Sequence, residues 1–112
     1  MKYLILMTSP EGVWEGLSES EQQDVIARHN AFTAKLRAEG RYVTSYRAHD
    51  EARSVRKDAA GNVTTTSEPF TGAQERVGGF YVIEAESLDE ATRWGEVSRF
   101  TAGTNEVRPL YD

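Results

Sequence analysis

Residues 18–40, SESEQQDVIARHNAFTAKLRAEG, carry the clearest secondary-structure pattern in the chain, that of a capped helix. Ser18 and Glu21 have the spacing of a capping box, in which each side chain accepts the other residue's amide. The stretch that follows keeps helical spacing, with one side carrying Val25, Ile26, His29, Phe32, Thr33 and Leu36. Gly40 closes it, because glycine best tolerates the left-handed conformation after a helix. We predict a helix of about 21 residues, roughly 31 Å long.

Short strands surround this helix. Residues 3–7 form a wholly apolar run that ends at a Pro/Gly turn, which is typical of a buried central strand. Residues 42–46 are rich in aromatic and β-branched side chains and predict a second strand. Residues 54–57 and 62–66 predict a hairpin, because the tetrapeptide 58–61 between them is rich in turn-forming residues.

The second half of the chain has the same order of elements. Gly78 and Gly79 lead into an apolar strand over residues 80–83, and a second capping box at 87–90 opens a helix to about Val97. The predicted inner face of this helix consists of Leu88, Ala91, Trp94 and Gly95. Residues 105–110 predict a last strand, which Pro109 confines to an edge or terminus.

The order β-α-β, hairpin, β-α-β predicts one α+β domain over residues 1–112. With right-handed crossovers it is a ferredoxin-like split βαβ subunit with an antiparallel sheet. Two helices cover one face of that sheet, yet strands 3–7 and 80–83 are apolar at odd and even positions alike. A second copy packed sheet to sheet would bury the other face, so we predict a homodimer. The alternative is that the inserted hairpin folds over this face.

Composition excludes several functional classes. The chain has 112 residues, 38% hydrophobic and 28% charged, as expected for a globular protein. It has no cysteine, which excludes disulfides, thiolate metal sites and a cysteine nucleophile. The net charge of −5 argues against a nucleic-acid partner, and no apolar run is long enough for a membrane partner. We expect a cytoplasmic protein.

Acid–base chemistry is the chemistry that the remaining motifs favour. Glu75 is the strongest candidate, since Arg76 beside it keeps a carboxylate ionised; the alternative is a surface ion pair. His49 follows a predicted strand and is either functional or a solvated loop residue. His29 is either a hydrogen-bonded core residue or a base that faces a cleft. No metal-binding spacing or phosphate-binding glycine loop occurs, so no cofactor is expected.

A pocket forms if the end of the second strand meets the loop at residues 67–75. Tyr46, His49, Phe70 and Glu75 would then supply an apolar lining with a few polar groups, which is the usual character of a ligand site. We assign Glu75 and His49 as catalytic candidates. The ligand-binding candidates are Tyr46, Ser67, Phe70 and His29.

Several segments resemble the YCII-related family, in particular the branch named for an Asp-Gly-Pro-Phe motif. The resemblance is carried by Ser-Glu-Pro-Phe at 67–70, Glu75, Gly-Gly-Phe-Tyr at 78–81 and Glu-Val-Arg-Pro at 106–109. Parts of the first helix and the opening residues 2–5 also fit. The similarity spans essentially the whole chain.

This resemblance implies a dimeric α+β barrel of ferredoxin-like subunits with a mostly unassigned biochemistry. Related branches include a dehydrochlorinase, and members of this branch are often encoded beside sigma factors. The family aspartate stands here as Ser67 and the glycine as Glu68, while Glu75 is retained. We expect a small-molecule-binding domain or a cofactor-free enzyme of isomerase or lyase type. The alternative is a non-catalytic regulatory module that binds a protein partner, such as one linked to a sigma factor.

Overall fold

The computed structural model describes residues 1–70, 72 and 74–111. Its elements in chain order are β1 (Lys2–Ser9), α1 (Glu19–Ala38), β2 (Tyr42–Arg47), β3 (Ser54–Lys57), β4 (Val63–Thr66), β5 (Arg76–Glu84), α2 (Leu88–Val97) and β6 (Thr104–Pro109).

Four strands form one antiparallel sheet in the order β2-β5-β1-β6. Each helix therefore links two strands that have one antiparallel strand between them, which is the split βαβ arrangement. The predicted α+β, ferredoxin-like subunit is confirmed. Strands β3 and β4 form a separate two-stranded hairpin, as predicted.

Helix α1 has the predicted ends. The Ser18 hydroxyl accepts the Glu21 amide at 3.2 Å, and the Glu21 carboxylate accepts the Ser18 amide at 2.9 Å. At the other end Gly40 has a φ of 69°, in the left-handed region. The predicted apolar side is buried only in its second half, at Phe32 and Leu36, and Ile26 remains 43% exposed. The first half of α1 borders an open cleft, which is described below.

Helix α2 departs from the predicted capping box. Ser87 accepts the Glu90 amide at 3.1 Å, but the Glu90 carboxylate accepts the amide of Glu86 and the indole N–H of Trp94. The predicted hydrogen bond from the Ser87 amide to the Glu90 carboxylate is therefore absent, and that carboxylate instead binds the indole of the core residue Trp94. Leu88 is 45% exposed, so its assignment to the inner face was wrong. It is the first residue of the helix, and the buried side chains follow one and two turns later.

The core lies between the helices and one face of the sheet. Because side chains alternate along a strand, the odd-numbered residues of β1 and, from Gly79 onward, of β5 face the helices. The buried apolar side chains on this side are Tyr3, Ile5, Met7, Phe32, Leu36, Tyr81, Ile83, Ala85, Ala91 and Trp94. The Phe32 ring meets Tyr81 and Trp94 edge to face, at centroid distances of 5.1 and 5.8 Å.

The opposite face of the sheet carries half-buried apolar side chains. Leu4 pairs with Val82 and Leu6 with Phe80 across β1 and β5, on the side away from the helices. Within the described ranges the β3–β4 hairpin has no extensive contact with the strands of the sheet, which argues against the alternative that it covers this face. The radius of gyration of 15.9 Å, against about 13 Å for a compact chain of this length, agrees with a projecting hairpin.

Candidate functional site

An open cleft of about 1150 Å³ lies between the first half of α1 and the sheet. Its floor is the helix-facing side of β1, β2 and β5, its roof is α1, and residues 10–15 close one end. The roof side chains include Val25, Ile26, His29, Asn30 and Thr33. This is the cleft that keeps Ile26 accessible.

Gly79 creates the empty floor. Met7, Gly79 and Arg47 are paired across three neighbouring strands, so all three belong to one row on the helix-facing side. A Cβ atom on Gly79 would lie 2.5 Å from the Tyr46 carbonyl oxygen and 3.2 Å from the Arg47 Cα atom. Strand β2 therefore packs against a bare backbone, and no side chain fills the row between Met7 and Arg47.

A β-bulge at Gly78 directs Arg76 into the cleft. Met7 pairs with Gly79, but Thr8 pairs with Val77, so Gly78 is the extra residue of β5. Beyond the bulge Arg76 pairs with Ser9, which shares a face with Met7. Strand β5 thus begins at Arg76, four residues before the predicted start at Phe80. The Arg76 guanidinium forms an ion pair of 2.9 Å with Glu11.

Arg99 ties the neighbouring strand ends together at the edge of the cleft. Its guanidinium donates to the Thr8 carbonyl at 2.7 Å, to the Ser9 hydroxyl at 3.0 Å and to the Thr101 carbonyl at 3.0 Å. Further donations go to Thr104, to the side chain of Asn105 and to the Thr101 hydroxyl. Burial lowers the pKa of Arg99, and the charge of Glu75 opposes this shift. All five N–H donors of Arg99 are occupied.

His29 and Tyr81 form a hydrogen-bonded pair at the wall of the cleft. The His29 Nδ1 atom lies 2.9 Å from the Tyr81 hydroxyl, and Phe100 meets the imidazole edge to face at 4.8 Å. Burial lowers the pKa of His29, and the charges of Arg99 and Arg47 lower it further. Burial raises the pKa of Tyr81 despite an opposing hydrogen bond from Thr33. Both side chains are therefore uncharged at neutral pH.

Arg47 lies at the end of β2 beside Trp14. Its guanidinium is 5.8 Å from the centroid of the indole ring, while the Trp14 carbonyl accepts the Gln22 amide at 2.9 Å. Within the described part of the chain the Arg47 side chain makes no hydrogen bond or ion pair. Its donors are available to a molecule in the cleft.

The predicted site residues are only partly brought together. His29 and His49 both line the cleft, and the His49 Nδ1 atom accepts the Glu51 amide at 3.1 Å. Tyr46 also borders the cleft but is 68% exposed. It points to the other face of β2, where its ring lies against Phe80.

The other predicted residues lie outside the walls. Glu75 directly precedes β5, is partly buried and is near enough to Arg99 to affect its pKa. Ser67 is exposed, Phe70 is 72% exposed, and neither lines the cleft. Thr71 and Ala73 of the loop at residues 67–75 lie outside the described residues.

Sequence reasoning did not assign Arg47, Arg76 or Arg99 to the site, and it did not pair His29 with Tyr81. The alternation of β2 could have placed Arg47 on the same face as Ser45. The bulge that redirects Arg76 has no comparable pattern in the sequence. Over the described ranges no cluster of three or more His, Asp or Glu side chains is arranged to hold a metal ion. In the same ranges no helix is long and apolar enough to cross a membrane.

The chain is similar to known proteins over nearly its whole length. The family model of the YCII-related domain matches residues 1–112. An uncharacterized protein of Rhizobium meliloti is 30% identical over 114 residues, which cover 98% of this chain and 92% of that protein. The strands, helices and cleft described above all lie within the family match.

Proposed function

The chain belongs to the YCII-related family, and on that premise we propose that it binds a small organic molecule in the cleft and transfers a proton there without a cofactor. One observation carries this proposal. The hydrogen bond of 2.9 Å between His29 and Tyr81 holds an uncharged imidazole at the wall of an open cleft. A neutral imidazole is a suitable general base near pH 7.

The tautomer of His29 decides its role. When Nδ1–H donates to the Tyr81 oxygen, the Nε2 atom of His29 keeps its lone pair. Nε2 then takes a proton from a C–H bond of the bound molecule, and the electron pair of that bond stays on the molecule. Return of the proton to another carbon gives an isomerisation. Loss of a leaving group with its own electron pair gives an elimination, and His29 must then release its proton to solvent.

His49 and Glu75 remain predicted acid–base groups of this reaction. His49 lies at the exposed rim, where a side chain can exchange protons with water. Glu75 is partly buried and its charge acts on Arg99, which fits an anchoring role. His29 is better placed than either to act on a molecule inside the cleft.

Proton exchange from a bound molecule tests this proposal without knowledge of the product. Small organic molecules that raise the melting temperature are incubated with the protein in D₂O, and loss of their C–H signals is followed by NMR. We expect exchange catalysed by the protein and a reduction of about 100-fold or more in His29→Gln. His49→Gln tests the rim histidine separately, and Arg53→Gln, at an exposed arginine outside the cleft, is the control that should leave exchange unchanged. Equal exchange rates in His29→Gln and the wild type would contradict the proposal.

The subunit is also proposed to form a homodimer through the open sheet face. Leu4, Leu6, Phe80 and Val82 form an apolar strip there, and Tyr46 extends it with its ring against Phe80. Symmetric pairing of two such strips would bury both. We expect a dimer in sedimentation at micromolar concentration and a monomer for Leu6→Glu. A monomeric wild type would contradict the pairing.

A second function, binding of a protein partner, is favoured by the hairpin. Val55 and Val63 are 68% and 62% exposed, and the strand register places them on one face of the hairpin. Phe70 is exposed nearby in the chain. A Val55→Ser/Phe70→Ser variant separates the two functions, because proton exchange in the cleft should persist while capture of a protein partner is lost.

A further inference from the structure

We infer that the molecule bound in the cleft is a monocarboxylate with an apolar body, and that Arg47 and Arg76 bind its carboxylate group. This inference rests on the proposed function of the same cleft and names its substrate class. Among the described residues three arginines line the cleft, Arg47, Arg76 and Arg99, and their donors are used to different extents.

The donors of Arg47 and Arg76 are available, whereas those of Arg99 are not. Arg99 directs its N–H groups to the strand ends and to Thr101. Arg76 uses Nη2 for Glu11, and its Nη1 atom donates to no acceptor among the described residues. Among the described residues the Arg47 guanidinium lies over the ring of Trp14 and makes no hydrogen bond or ion pair. A ligand oxygen would satisfy donors that the chain leaves open, and a guanidinium is shaped to hold a planar carboxylate.

The acidic residues of the cleft limit the charge of the ligand. Glu11, Glu15 and Asp50 line it together with the three arginines, and Glu11 already pairs with Arg76. The formal charges of these six lining residues cancel, and the whole chain carries a net charge of −5. Such a cleft can hold one negative charge at its arginines but repels a polyphosphate. One carboxylate therefore fits better than a nucleotide or a dianion.

An apolar body is indicated by the walls opposite the arginines. Val25 and Ile26 contribute aliphatic surface from the roof, Met7 from the floor and Trp14 from the end of the cleft. Ile26 is 43% exposed within this wall, an apolar area that a ligand would remove from water. His29 lies one helical turn after Val25 and Ile26 on α1. It therefore faces the body of the ligand, from which the proposed reaction takes its proton.

Matched pairs of neutral and charged ligands test the carboxylate. Benzoate, phenylacetate and cinnamate are titrated by calorimetry and by NMR of the Gly79 and Arg76 signals, each against its primary amide and against inorganic phosphate. We expect the best carboxylate to bind at least tenfold more tightly than its amide or phosphate, and Arg47→Gln to remove about tenfold or more of that affinity. Arg47→Lys should restore part of it. Arg53→Gln, an exposed arginine of the hairpin region, should leave affinity unchanged.

The outcomes separate this inference from the proposed function. Amides or phosphate that bind as well as the carboxylates, an unaffected Arg47→Gln, or no carboxylate binding below 10 mM would each overturn the monocarboxylate. Proton exchange on a neutral ligand would then still support catalysis in the cleft. Carboxylate binding that depends on Arg47, but with no proton exchange, would support the inference as a binding site and contradict the catalytic proposal. Arg47 is exposed, so its variants are expected to fold.

Discussion

The adjacent glycines of β5 give the sharpest test of how the cleft is built. An alanine at Gly79 would place its Cβ 2.5 Å from the Tyr46 carbonyl oxygen, where ordinary contacts begin at 3.4 Å. Strands β2 and β5 would have to separate by almost an ångström, which stretches the hydrogen bonds between them. Overpacking of this kind costs about 1–3 kcal/mol, and each weakened hydrogen bond adds about 1 kcal/mol. We expect Gly79→Ala to lower the free energy of unfolding by about 3 kcal/mol.

Gly78→Ala is the matched control for that substitution. The nearest atom to a Cβ at Gly78 is the Met7 carbonyl oxygen at 3.8 Å, an ordinary contact, and its φ is not positive. Alanine should therefore be neutral there or stabilise by up to about 1 kcal/mol through the unfolded chain. Urea unfolding and thermal melting measure both variants, and about 3 kcal/mol corresponds to roughly 12 °C in Tm. Similar stabilities for the two variants would refute the close approach of β2 that leaves the floor bare.

Two other predictions concern His29 and the start of α1. Because the pKa of His29 is lowered in the folded protein by burial and by Arg99 and Arg47, the unfolded chain binds more protons as the pH falls below the ordinary value of 6.5. The free energy of unfolding should therefore decrease between pH 7.5 and 5, and His29→Gln should reduce this slope in urea titrations; an unchanged slope would contradict a neutral buried imidazole. Ser18→Ala should lower the free energy of unfolding by about 1 kcal/mol, because the Glu21 amide loses its hydrogen bond to the Ser18 hydroxyl. An unchanged urea midpoint would show that this N-cap contributes nothing to stability.

The elements that depend on local sequence were predicted well. Helix α1 follows from a cap at Ser18, a helical apolar period and Gly40, all of which act within a few residues. The two apolar strands and the hairpin were recognised for the same reason. The sheet order then followed from the sequence of elements and the handedness of crossovers, which leave few arrangements open.

The cleft was not predictable in the same way, because it depends on registers between distant strands. The bulge at Gly78 changes the face to which Arg76 belongs, and only the pairing of β5 with β1 reveals it. Leu88 and the second capping box show a similar limit. Glu90 satisfies the predicted pattern in sequence, yet its carboxylate accepts from Trp94 because the indole is buried within reach.

The two histidines illustrate why residue type and spacing alone could not select the site. His49 has acidic neighbours in the sequence, whereas His29 lies on the apolar side of a helix, where a packing role is the common expectation. The structure shows that the apolar side of α1 is not entirely a packing surface, since the first half of the helix borders an open cleft. A histidine that lies on the apolar side of a helix is then both partly buried and accessible. Burial keeps its imidazole neutral, and the cleft brings a ligand to it, so the feature that argued for a structural residue becomes the basis of the proposed chemistry.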